Sequence, residues 1–274
     1  MKNKVSPAWI SVAAVLIIWQ LAADRIQLPA LFPSVIGLFQ EVFVLLTLPG
    51  TYQSFFSTVL KGLEAFLLGA CIALPASVVA LHSPFWKSFF NPLVITLRSI
   101  PVIAVVLIAL MFLTPSHLPV IIGSITMLPI LYQNFLSAWE HTDPKLVEMA
   151  KFYHKSLWER FRYIYFLQSP ALLFAGLATA VGFGWRAIII GEVLSGPALG
   201  IGTAMKKSQA YIDMPGLLAW TLIAVAGGFL AEFVLKSAAR INYIPSLRKS
   251  GGKTVDGSPA SYRSVKLVEV SFFR

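Results

Sequence analysis

Apolar residues do not alternate with polar ones along this chain; they gather into long blocks separated by short polar stretches. A helix needs about 20 mostly apolar residues to cross the hydrocarbon of a bilayer. Six blocks qualify, at roughly 8–23, 54–81, 93–113, 117–138, 169–194 and 215–239. Between the first two, Leu28 to Gly50 carries Pro29, Pro33 and Pro49, and Val35, Leu38, Phe39, Val42 and Leu46 follow helical spacing. That segment predicts a short helix lying on the membrane surface rather than a seventh span.

Composition sharpens the pattern. Of 274 residues, 57% are hydrophobic and 12% charged, about half the charged share of a soluble domain. With a mean hydropathy of +0.75, the surplus apolar surface has to face lipid. The expected class is an all-α integral membrane protein with about six transmembrane helices. Lys and Arg number 22 against 12 Asp and Glu, a net charge of +10. Such a balance can mark nucleic-acid binding, but most of this sequence offers no polar face on which bases could cluster. Lys2 and Lys4 ahead of an apolar run imitate a signal peptide, yet the many later spans favour an uncleaved first helix.

The charge instead predicts orientation. With the N-terminus in the cytoplasm, the inside segments hold Lys2, Lys4, Lys87, Lys145, Lys151, Lys155, Arg160, Arg162, Lys236, Arg240, Arg248, Lys249 and Lys253. The outside segments hold only Arg25, Lys206 and Lys207. The positive-inside rule therefore expects both termini in the cytoplasm.

The longest polar insertion between spans is Glu140 to Gln168. Asp143 can cap a helix there, with Pro144 at its first position. Leu146, Met149, Ala150, Tyr153 and Leu157 recur at helical spacing opposite Lys151, Lys155 and Glu159. Physics alone leaves two uses for this amphipathic helix: lying on an anionic leaflet, or docking in the groove of a soluble partner.

Asp143-Pro144-Lys145-Leu146-Val147-Glu148-Met149-Ala150, followed by Phe161-Arg162-Tyr163-Ile164, resembles the EAA loop of ABC importer permeases. Leu97-Arg98-Ser99-Ile100-Pro101, Trp185-Arg186-Ala187 with Gly191-Glu192, and Leu199-Gly200-Ile201-Gly202 resemble the nitrate/sulfonate/taurine branch of that family. Together the likeness runs from about residue 5 to 248. It implies a MetI-like permease fold in a bacterial inner membrane, a transport subunit and not an enzyme. Implied partners are a second permease subunit in a homodimer, cytoplasmic ABC ATPase subunits and a periplasmic or lipid-anchored binding protein that delivers a small polar or anionic solute. The residues implied in ATPase coupling are Asp143, Pro144, Leu146, Glu148, Met149, Ala150, Tyr153 and His154. Two positions depart from the family: His154 stands where glycine is usual, and Phe166-Leu167 where a leucine–proline pair closes the loop.

Ionisable residues inside spans are functional candidates by default. Arg98, Arg186 and Glu192, with Trp185, are the candidate substrate pathway, against structural readings as a snorkelling arginine, a paired charge or a packed ring. Lys61 and Glu64, three apart, are expected to pair with each other. No cofactor or metal is expected: His82, His117, His141 and His154 are dispersed, and Cys71 is the one cysteine. An ion-coupled secondary carrier is the alternative, though it needs an intramembrane relay and usually internal repeats.

After the permease domain of 1–245, residues 246–264 read as a flexible basic linker, where Gly252-Lys253-Thr254 imitates a phosphate-binding loop without its first glycine. Residues 265–274 read as a strand, either the opening strand of a truncated ABC ATPase domain or an apolar tail.

Overall fold

A computed structural model of the protein describes residues 7–28, 30–166 and 170–248. Its described residues form helices and no strand. In chain order these are α1 (Pro7–Ile26), α2 (Val35–Thr47), α3 (Pro49–His82), α4 (Pro84–Ser99), α5 (Val102–Ala109), α6 (Leu118–Glu140), α7 (Pro144–Phe152) and α8 (Leu157–Arg160). A π-helical turn at Phe161–Tyr165 follows, then α9 (Pro170–Ser195), α10 (Ile201–Ala210) and α11 (Met214–Arg248). The helix α11 runs three residues past the expected domain boundary; the remainder of the expected linker and tail, and Leu167, lie outside the described residues.

Four helices, α3, α6, α9 and α11, are long and apolar enough to cross a membrane, and the bent pair α4–α5 makes a fifth. The expected continuous span at 93–113 is corrected by that pair. Helices α4 and α5 meet at 88° across Ile100–Pro101. Proline has no N–H to continue the helical ladder, and it pushes the residue before it out of the helical region. Ile100 is accordingly extended, at φ −71° and ψ 127°.

The core lies between α3, α6 and α9. The buried face of α3 is made of small residues, among them Thr58, Ala65, Gly69, Ala73, Ser77 and Ala80, while Leu60, Leu63, Leu67 and Leu68 face outward. Lipid tails provide no hydrophobic drive between helices, so close approach of small residues is what holds such a seam. The large buried residues come from α6: Leu118, Ile122, Met127, Leu131 and Trp139. From α9, Ala178, Ala180 and Ile188 close the other side, and Asn134 of α6 donates to the Gly176 carbonyl at 3.1 Å. The 13-residue α2 is as short as expected and packs against α11 and α3.

Gly69 sits against the α6 backbone, with the Ser124 carbonyl oxygen 3.4 Å from where a Cβ would be. Gly69→Leu is expected to cost about 1–3 kcal/mol by overpacking this seam. Leu68→Ala, on the exposed side of α3, should leave the thermal unfolding midpoint in detergent nearly unchanged.

Candidate functional site

The most buried charge in the described residues is Glu192, near the end of α9, with no exposed surface. A carboxylate taken out of water needs a counter-charge and hydrogen bonds for its lone pairs. Lys61 of α3 supplies the charge at 2.8 Å, and the Thr58 hydroxyl lies 3.0 Å from both carboxylate oxygens. The Gly202 N–H donates to Glu192 at 2.9 Å, and the Ile201 N–H donates to the Thr58 hydroxyl at 2.9 Å. Those two N–H groups open α10, so Glu192 and Thr58 cap α10 from other helices, with negative charge at its positive end. The expected Lys61–Glu64 pair is thereby corrected: Glu64 is exposed on α3, and the Lys61 ammonium turns inward to Glu192 and the Leu199 carbonyl. Three residues apart on one helix was a weaker attraction than an unpaired buried carboxylate.

Gly200 explains part of the Leu199-Gly200-Ile201-Gly202 motif. Its φ is +153°, and a Cβ there would lie 2.3 Å from a Glu192 carboxylate oxygen. Only a bare backbone fits against the charge.

Of the other pathway candidates, Arg98 falls in one cavity and Arg186 and Trp185 in another. Arg98, at the end of α4, lines a cavity of about 410 Å³ opened by the α4–α5 bend and walled by α6 and α9. Thr126, Gln133, Asn134 and Thr179 supply its uncharged polar groups, and Arg98 is its one ionisable lining residue among the described residues. The Arg98 guanidinium donates through Nη1 to the Gln133 side-chain oxygen. Arg186 lies on another face of α9, over the Phe183 ring at 5.7 Å, in a cavity of about 290 Å³ shared with Glu232 of α11. Trp185 is buried between α9 and α11, donating from Nε1 to the Ala224 carbonyl at 2.9 Å. Gly227 and Gly228 leave room for its ring. Trp185 and Arg186 thus share one cavity, while Arg98 and Glu192 lie apart from it and from each other.

At the opposite end of α9, the loop of α7 and α8 is built by local rules. Asp143 caps α7, accepting from the Lys145 N–H at 2.9 Å, and Pro144 takes the first position. The helix stops at Phe152. Lys155 N–H then bonds the Ala150 carbonyl and His154 N–H the Lys151 carbonyl, the two bonds of a Schellman turn. His154 holds its left-handed position at φ +52°, which costs a residue other than glycine roughly 1–2 kcal/mol. Ser156 and Glu159 then bond each other's N–H reciprocally, at 3.2 and 2.9 Å, and start α8. The Ser156 N–H, and next the Lys155 ammonium, hold the Glu159 carboxyl below its usual range. This cap is intact at neutral pH and is lost as the pH falls through that lowered value.

The expected single apolar stripe is split. Ala150 is buried and Val147 packs on the core, whereas Met149, Phe152 and Tyr153 are exposed, the last two at 79% and 68%. Leu157 belongs to a different helix. Glu148 and Asp143 also face outward, and Leu146 is half-buried.

Residues 65–240, more than half of the chain, match the family described as binding-protein-dependent transport system inner membrane component. The chain belongs to that family. It is similar to a probable ABC transporter permease protein of Brucella melitensis biotype 1, 22% identical over 190 residues that cover 68% of this chain and 75% of the relative. Two probable ABC transporter permease proteins of Brucella abortus, from strain 2308 and from biovar 1 strain 9-941, match at the same identity and cover 74% of their length. The protein is thus a permease subunit of an ABC transporter, a multi-pass membrane protein whose family implies ATPase and substrate-binding partners.

In the loop of α7 and α8, two features of the permease escaped the sequence reading. Phe152 was hidden by its neighbours in the apolar stripe, while the Ser156-x-x-Glu159 capping box was visible as a motif. Lys61→Met, which strands the Glu192 carboxylate, is expected to destabilise the permease by about 3–5 kcal/mol, and Lys61→Met with Glu192→Gln by clearly less. His154→Gly should stabilise it by about 1 kcal/mol. Unfolding midpoints in detergent measure all three.

Proposed function

We propose that the permease carries a small polar or anionic solute through the cavity at the α4–α5 bend, and that it belongs to the nitrate/sulfonate/taurine branch of ABC importers. The observation that carries this reading is the cavity itself, with Arg98 as its one ionisable residue among hydroxyl and amide groups. An arginine with no acidic partner among the described lining residues favours a negative or strongly polar guest. Arg186, Glu192 and Trp185 stand outside this cavity and support the path only through the helices they hold, Glu192 by fixing α10 and Trp185 by fixing α11.

In this reading, α1 joins the five apolar spans to make six, both termini are cytoplasmic, and the loop of α7 and α8 faces the cytoplasm of a bacterium. Two copies pack as a homodimer above two ATPase subunits, and an extracytoplasmic binding protein delivers the solute. Met149, Phe152, Tyr153 and Glu148 form the docking face, since they lie on the outer side of a helix held at both ends. Asp143, Pro144 and His154 shape that helix, and Leu146 and Ala150 seat it. Closure of the ATPase pair moves the docked helices as rigid bodies and switches the pathway between inward- and outward-facing states.

Replacing Met149, Phe152 and Tyr153 together by Ser is expected to leave a folded permease that no longer co-purifies with its ATPase. Full co-purification of that variant would refute the docking face. Ala150→Trp should instead reduce the yield of folded permease. Arg98→Ala is expected to lower ATP-dependent uptake of the solute bound by the co-encoded binding protein, with assembly unchanged.

A further inference from the structure

A third cavity lies beside that of Arg98, with Gln133 in the lining of both. It has a volume of about 290 Å³ and is lined by Lys87, Ser88 and Asn91 of α4 and by Tyr132, Gln133, Ser137 and Glu140 of α6, among others. At its far edge Lys87 and Glu140 form an exposed ion pair, next to the turn that leads into α7. Gln133 lines both cavities. Its side-chain oxygen accepts from Arg98, the one charge of the larger cavity. The amide of Gln133 therefore stands between the two spaces, joined to α4 by a charge-assisted hydrogen bond.

We propose that Gln133 is a positioning residue and latch: it aims the Arg98 guanidinium and closes the larger cavity against the smaller, polar one that leads toward the Lys87–Glu140 pair. Three observations support it. First, the bond joins α4 to α6, the two helices that flank both cavities, so breaking it lets them part along that groove. Second, Pro129 lies one turn before Gln133 and lines the larger cavity. Having no N–H, Pro129 leaves the Ile125 carbonyl without its helical partner, and α6 is weakest to bending there. Third, a guanidinium has five N–H donors in a fixed plane. Gln133 engages one nitrogen, and the rest of the fork remains for an anionic guest in the larger cavity. A guest that draws the guanidinium toward itself competes with Gln133, so loading of the cavity and release of the latch are coupled.

The proposal rests on the reading of the larger cavity as the solute path, and its test separates the two. In the full chain with Cys71→Ala, a cysteine is placed at Thr126 in the larger cavity or at Ser137 in the smaller one. Membrane vesicles of each orientation are then exposed to the anionic, membrane-impermeant thiol reagent sulfonatoethyl methanethiosulfonate. With Gln133 present, the cysteine at 137 is expected to react readily from the α7 face and that at 126 slowly. Gln133→Ala should speed modification at 126 from that face by about tenfold, the factor expected when one charge-assisted hydrogen bond no longer holds the closed state. The rate at 137 should not change. Gln133→Glu, which keeps an acceptor for Arg98, should restore the slow rate at 126, a rescue that mere packing at this position would not give. If 126 reacts from the α7 face at one rate in all three chains, the latch is overturned and the solute path survives. If 126 reacts from neither face in any chain, the solute path is overturned, and the latch with it.

Discussion

A carboxylate with no exposed surface dictates the arrangement at one end of this permease. Glu192 cannot remain charged in that position unless its lone pairs and its charge are answered. The answers come from Lys61 and Thr58 on α3 and from the backbone that begins α10. Three segments far apart in sequence must therefore meet at one point, close enough for the short Thr58 hydroxyl as well as the Lys61 ammonium to reach Glu192. The same contact gives α10 its first turn, which lacks a cap of its own. Because removing one member leaves a buried charge or an orphaned N–H, this cluster fixes geometry more than it adds net stability.

Toward the membrane interior the governing constraint is a missing donor. Pro101 stops α4 from running straight into α5, and the 88° turn holds the two helices apart from α6 and α9 enough to leave a cavity. The bend converts a stretch of apolar sequence into a chamber whose wall carries Arg98.

Much of this was legible in the sequence, though unevenly. Block length alone located α3, α6, α9 and α11, because nothing but lipid accounts for so many apolar residues in a row. Asp143-Pro144 announced the start of α7 through local rules that need no tertiary context. The break at Pro101 was present in the sequence but was outweighed by the hydropathy on either side of it. The partner of Lys61 was not legible, since a helix-local rule sees Glu64 and has no view of a residue 131 positions away. Gln133 gave no signal either: an uncharged amide in an apolar helix has meaning only through what lies across from it. The inward and outward faces of α7 were merged because Ala150 and Met149 look alike to a periodicity argument, and only the position of the core tells them apart.

Gln133 and Glu140 lie on the same helix, α6, about 10 Å apart at 1.5 Å per residue, and only three residues separate Glu140 from α7. Below Pro129, this segment is a short stiff rod with α7 at one end and a cavity wall at the other. Force applied to α7 reaches the chamber through the stiffness of a single element, without passing through a relay of side chains. Such a lever tolerates wide sequence change along its length, provided its fulcrum and its two ends stay where they are.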